Sequence, residues 1–120
     1  MLNVERLENG AVTVLRLRGV IDEEGVAVLR LALSGCVRDG RHKVVLNLAG
    51  VGFVSYLSMA VILERLGQFR AAKGDLKLAC LSLYMRMLLR QMALTHQFDC
   101  HETEVQAVTG FSAPDRKSVV

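Results

Sequence analysis

Tryptophan is absent from this 120-residue chain, proline occurs once, and Phe and Tyr together supply 5% of the residues. The basic residues Arg16, Arg18, Arg30, Arg38, Arg41, Lys43, Arg65, Arg70 and Lys73 are scattered, and none forms a run interleaved with aromatics. A nucleic-acid reader concentrates such charge on one face or helix, so no nucleic-acid partner is expected. Cys36, Cys80 and Cys100 are an odd set without a CxxC pair or a Cys/His zinc spacing. They read as reduced, small, buried hydrophobes. No apolar run approaches the ~18 residues of a membrane span. The opening Met1–Gly10 lacks a charged segment followed by an apolar one, so no signal peptide and no membrane insertion are expected. The expected compartment is the cytoplasm.

Catalytic patterns are equally sparse. No Walker-type or GxGxxG loop follows a strand-like segment. His42, His96 and His101 fall at expected strand edges, and no two share a helix face. Glu23-Glu24 and Glu102/Glu104 fall in expected first helical turns, where the macrodipole accounts for them. The chain reads as non-enzymatic, with no metal and no cofactor expected.

What is present is a globular pattern: 52% hydrophobic residues, 22% charged residues and a formal net charge of +3. The length allows one domain, expected over residues 1–111, with 112–120 as a flexible tail holding the single proline. Strand-like and helix-like segments alternate, which predicts an α/β fold. Strands are expected at Leu2–Leu7 and Ala11–Leu17, joined by a turn at Asn9-Gly10 and ended by Gly19. Asp22 is placed to cap a helix over Glu23–Arg38, with Val26, Leu29, Leu33 and Val37 inward. Lys43–Leu48 reads as a buried strand, and Gly50 and Gly52 as a loop. A helix over Tyr56–Ala72 follows, its apolar side being Met59, Ile62, Leu63, Leu66 and Phe69. Then come a strand at Asp75–Cys80, a helix at Leu83–Ala93, a strand at Gln97–Cys100 and a helix at Glu102–Thr109, packed down by Phe111.

The segment Val51–Ala60 carries Ser55 and Ser58 where a strand leads into a helix start. Two readings stand there: either serine caps the helix, or one accepts a phosphate, which a helix N-terminus tolerates. Met85, Met87, Leu88 and Met92 likewise allow two readings, packing of the third helix on the sheet or an apolar surface for self-association.

Leu17-Arg18-Gly19-Val20-Ile21-Asp22, then Val44-Val45-Leu46-Asn47-Leu48, then Gly50-Val51-Gly52-Phe53-Val54, resembles a STAS domain. That is the fold of bacterial anti-sigma-factor antagonists and of the cytoplasmic tails of sulfate transporters. The resemblance runs on through Gly74-Asp75-Leu76-Lys77-Leu78, Phe98 and Glu104-Val105-Gln106-Ala107-Val108, covering almost all of residues 2–111. It implies a mixed four- to five-stranded sheet with helices packed mainly on one face. It also implies a regulatory binding protein that docks on a kinase-type anti-sigma factor and releases a sigma factor. In typical members the loop before the second helix reads Asp-Ser-Ser-Gly, and its second serine is phosphorylated by that partner.

Aligned on Phe53-Val54, this chain places Ser55 on the Asp, Tyr56 on the first Ser, Leu57 on the phosphoacceptor and Ser58 on the Gly. The usual switch is then missing, with Ser58 and Ser55 as the remaining candidate acceptors. The resemblance places partner binding at Asp22, Ser55, Tyr56, Leu57, Ser58 and Met59, with Tyr56 and Leu57 exposed as anchors. Two other roles remain open: a STAS subunit of a membrane lipid or solute transporter, docked on its transport ATPase, and a self-associating scaffold subunit such as a homodimer.

Overall fold

A computed structural model describes residues 1–112 of the chain. β1 (Asn3–Asn9) and β2 (Val12–Ile21) form an antiparallel hairpin. Asn9 pairs with Val12, so the two-residue turn is Gly10-Ala11, one position later than the Asn-Gly pattern suggests; Gly10 takes a φ of +59° there. α1 (Glu23–Arg38) follows, then β3 (Lys43–Val54), α2 (Tyr56–Ala71), β4 (Asp75–Ala79), α3 (Leu83–Gln91), β5 (Cys100–His101) and α4 (Glu104–Ser112). The strands lie in chain order, with β2 to β5 parallel to one another and β1 antiparallel at the edge, so the sheet is five-stranded and mixed. The expected α/β architecture is the one observed.

Both β2 and β3 run longer than expected. Gly19, Gly50 and Gly52 lie inside strands rather than ending them. The β2–β3 register slips between Arg16 and Arg18 and again between Gly19 and Val20, and glycine is the residue that tolerates such bulges. Gly19 adopts a φ of +119° against the backbone of Met1 and Leu2, and a Cβ on Gly50 would press on the Leu17 carbonyl. The extension carries β3 to Val54 and delivers the chain directly into α2.

One core lies between the sheet and α1, α2 and α3, built on Leu15, Leu46, Leu76 and Leu78 against Leu29, Leu33, Ile62, Phe69 and Met85. On α1 the inward stripe is Val26, Leu29, Leu33 and Cys36. Val37, expected inward, is exposed, because the 3-4-3 spacing leads to Cys36 and turns Val37 about 100° away. α4 covers the other sheet face with a smaller cluster of Val12, Val14, Val45, Ala79 and Ala107, flanked by Leu7 and Phe111. Polar contacts hold it down. Arg16 donates to both carboxylate oxygens of Glu104 at 2.9 and 3.0 Å, and the Asn47 amide donates to Glu104 at 2.9 Å. Nearby, Lys77 is buried, paired with Asp99, with its ammonium 4.7 Å from the Phe111 ring centre.

The C-terminal half departs from expectation at several ends. Gln97 and Phe98 are turn and bend, Asp99 is irregular, and the last strand is only Cys100–His101. α4 begins at Glu104, where the Thr103 hydroxyl accepts from the Gln106 amide at 3.1 Å, rather than at Glu102. It ends at Ser112, which is therefore helix and not tail; the rest of the expected tail, 113–120, lies outside the described residues. His96 sits in a turn rather than at a strand edge.

Candidate functional site

At the C-terminal ends of β2 and β3 the chain turns into α1 and α2, and side-chain oxygens cap both helices. The Asp22 carboxylate accepts from the Gly25 amide at 2.8 Å. The Ser55 hydroxyl oxygen accepts from the Ser58 amide at 3.1 Å, making Ser55 the N-cap of α2. The Ser55 amide in turn donates to the Ile21 carbonyl at 3.0 Å, which ties the start of α2 to the end of β2.

The geometry separates the expected site residues into two groups. Ser58 is 1% exposed; its hydroxyl lies 2.7 Å from the Ser55 oxygen and 3.3 Å from the Asp22 carbonyl, to which it donates. Met59 is fully buried in the main core. Neither can touch a partner in this conformation, which corrects their place on the docking surface. The reason is helical phase: 58, 59, 62, 66 and 69 share the inward stripe of α2. Tyr56 and Leu57 point outward, at 61% and 62% exposure. Asp22 and Ser55 are partly buried and occupied in capping.

A second wall of the site comes from α3. The Tyr84 hydroxyl accepts from the Val54 amide at 3.2 Å and donates to the Val54 carbonyl at 3.0 Å. Its ring stacks against Phe53 at 6.4 Å between centres. The Tyr56 hydroxyl donates to the Gln91 side-chain oxygen at 3.2 Å. Between these contacts lies a groove of about 410 Å³, lined by Phe53, Tyr56, Tyr84, Met87, Leu88 and Gln91 among others. Met85 and Leu88 pack in the core as the packing reading expects, whereas Met87 is 51% exposed. The sequence reading did not assign Phe53, Tyr84 or Gln91 to the site. A signal for α3 was present: Leu83, Tyr84 and Met87 add apolar positions outside its inward stripe.

Elsewhere titratable groups serve structure. Arg16 holds the Glu104 carboxyl below its usual range; burial opposes this and Asn47 reinforces it. Burial pushes Asp99 upward, but hydrogen bonds from Lys77 and His101 outweigh it and leave its carboxyl lowered. Of the three cysteines expected to be buried only Cys36 is, and burial raises its thiol; Cys80 is partly buried and Cys100, on the short last strand, is exposed. Among the described residues no three His, Cys, Asp or Glu side chains gather as metal ligands, and no helix is long and apolar enough to cross a membrane.

The architecture is shared with known proteins. An anti-sigma factor antagonist from Mycobacterium paratuberculosis is 18% identical, with a TM-score of 0.84 over 94% of this chain and 96% of that one. The anti-sigma factor antagonist SpoIIAA in its unphosphorylated form is 20% identical, with a TM-score of 0.71 over 95% and 100%. The murine anion transporter Slc26a9 is 13% identical, with a TM-score of 0.74 over 90% of this chain but only 19% of the transporter. At these identities the likeness concerns the fold. No curated protein matches the chain in sequence. The profile of the STAS domain matches residues 3–107, and the chain belongs to the STAS domain family.

Proposed function

We propose that this chain is a non-enzymatic regulatory binding protein of the anti-sigma-factor-antagonist type. It docks on a kinase-type anti-sigma factor through the start of α2 and thereby releases a sigma factor. The observation that carries this reading is the split at that helix start: Tyr56 and Leu57 are more than half exposed, while the Ser55 and Ser58 hydroxyls are bound to each other. Two large exposed side chains on a firmly capped helix end are suited to anchoring a partner at low entropic cost.

The same split supports docking without the family's phosphate switch. Leu57, at the usual acceptor position, has no hydroxyl, and the Ser58 hydroxyl is buried. Binding is then governed by the availability of the partner rather than by modification of this loop.

The test is a binding assay of the purified chain with kinase-type anti-sigma factors from the same genome. Each anchor buries apolar area worth roughly 1.5–3 kcal/mol, so Tyr56→Ala or Leu57→Asp should weaken binding by at least about tenfold. Both side chains are exposed, and the one bond lost, from Tyr56 to Gln91, is at the surface, so melting temperatures should change little. Equal affinity of both variants and wild type, or failure of every such kinase to bind while a transport ATPase is captured, would overturn the proposal. The second of those results would move the chain to the transporter role.

A further inference from the structure

The α2–α3 groove has an electrostatic frame that Tyr56 and Leu57 alone do not reveal. Its lining, from Phe53 to Gln91, contains no charged side chain. α3 carries Arg86 and Arg90 and no acidic residue; both arginines are exposed, and neither joins an ion pair among the described residues. Arg90 is not part of the lining but lies one turn beyond Met87, which helical spacing sets beside the groove's outer edge, whereas Arg86 lies farther around α3 from it. On α2 the first acidic residue is Glu64, two turns beyond Tyr56. The carboxylates at this end of the sheet, Asp22, Glu23 and Glu24, belong to α1. α1 packs on the flank of α2 where Arg65 donates to Ser34 at 3.2 Å. Arg65 is nine residues from Tyr56, about 180° around the helix, so those acids stand across α2 from the groove.

We propose that this groove receives an acidic amphipathic helix of a different protein, its apolar side chains seated among Tyr56, Tyr84 and Met87 and its carboxylates facing Arg90. The inference rests on the docking role proposed above and names the chemistry of the partner. A two-fold pairing with a second copy is disfavoured by the same charges, because it would bring a helix with two arginines and no acid against its own copy. An apolar small molecule would fill the groove without engaging Arg90, which is exposed and outside the lining. The groove is bounded at both ends by hydrogen bonds, Tyr84 to Val54 and Tyr56 to Gln91, so it is pre-shaped and loses little freedom on binding.

A display library of random 16-residue amphipathic helices, selected on the full chain, tests this. The selected peptides should place large apolar residues at i, i+3 or i+4, and i+7 and be enriched in Glu and Asp. Their affinity should fall by about tenfold or more in Met87→Glu and in Arg90→Glu, and with rising salt. Leu57→Asp should leave them bound, since Leu57 does not line the groove. Neutral or basic winners, equal binding to Met87→Glu, no selection above background, or self-association of the chain abolished by Met87→Glu would overturn the proposal. Parallel binding of the anti-sigma factor to wild type and Leu57→Asp separates the two ideas. Loss of the peptide result alone refutes the groove occupant, and loss of the kinase result alone refutes the partner class.

Discussion

Replacing Ser58 separates a structural hydroxyl from a regulatory one. In Ser58→Ala the Ser55 oxygen keeps the Ser58 amide at 3.1 Å, and the Asp22 carbonyl keeps the Val26 amide at 2.8 Å. Two hydrogen bonds are lost, the one Ser55 donates to Ser58 and the longer one Ser58 donates to the Asp22 carbonyl, and the half-buried Ser55 hydroxyl must turn to another acceptor, so the loss is about 1–2 kcal/mol. Ser58→Asp, the usual mimic of a phosphate, is different. It puts a carboxylate into a site 1% exposed and facing the Asp22 carbonyl, where an uncompensated buried charge costs about 3–5 kcal/mol. The N-terminus of α2 returns at most about 1 kcal/mol in the first turn, leaving a net loss of about 2–4 kcal/mol. At about 4 °C per kcal/mol for a domain of this size, the alanine variant should melt about 4–8 °C below wild type and the aspartate variant about 8–16 °C below. Thermal and urea unfolding read both. An aspartate variant as stable as wild type would refute the reasoning, because it would show that position 58 reaches solvent in the folded state and is open to phosphorylation.

Tyr84→Phe removes both hydrogen bonds to Val54 and should cost about 1–2 kcal/mol, with faster amide exchange at Val54; unchanged exchange there would show that the hydroxyl does not brace the groove. Glu104 has a folded pKa below its unfolded value, so its contribution is fully present above about pH 4.3 and is lost as pH falls through the folded value. Glu104→Gln should therefore flatten the acid limb of the stability curve without abolishing it, because Asp99 is lowered in the same sense; an acid limb identical to wild type would contradict the assignment.

Helices and core strands were legible wherever hydrophobic period decided the structure. The Asp22 cap, the span of α1 and the inward stripe of α2 follow from spacing alone, since burial of one face outweighs every local preference along them. Glycine misled where it served packing instead of punctuation. Gly19 and Gly50 look like strand ends, yet Val20, Ile21, Val51 and Val54 continue the sheet beyond them, and the bulged register needs residues without a Cβ at those places. β5 was the least legible element. Two residues carry too little pattern to mark a boundary, and they are strand only because β4 offers its edge. The salt-bridged clamp of Arg16, Asn47 and Glu104 joins residues up to 88 apart in sequence, a distance that no local pattern encodes.

At the candidate site the structure divides the residues that the sequence grouped together, burying Ser58 and Met59 and exposing Tyr56 and Leu57. Serine before a helix reads either as a cap or as a phosphate acceptor; Ser55 is the cap, and the phase of α2 turns position 58 into the interior and leaves 56 and 57 outside. Polar atoms in this loop make the fold, and apolar atoms meet the solvent, the reverse of an ordinary surface loop. The phase of α2 places positions 56 and 57 outside whatever side chains stand there, and the capping bond of Ser55 closes the helix in either case, so the fold requires their exposure but not their apolar character. Under the docking role proposed above, that exposed apolar area is what a partner would cover, and the binding assay with Tyr56→Ala and Leu57→Asp decides it.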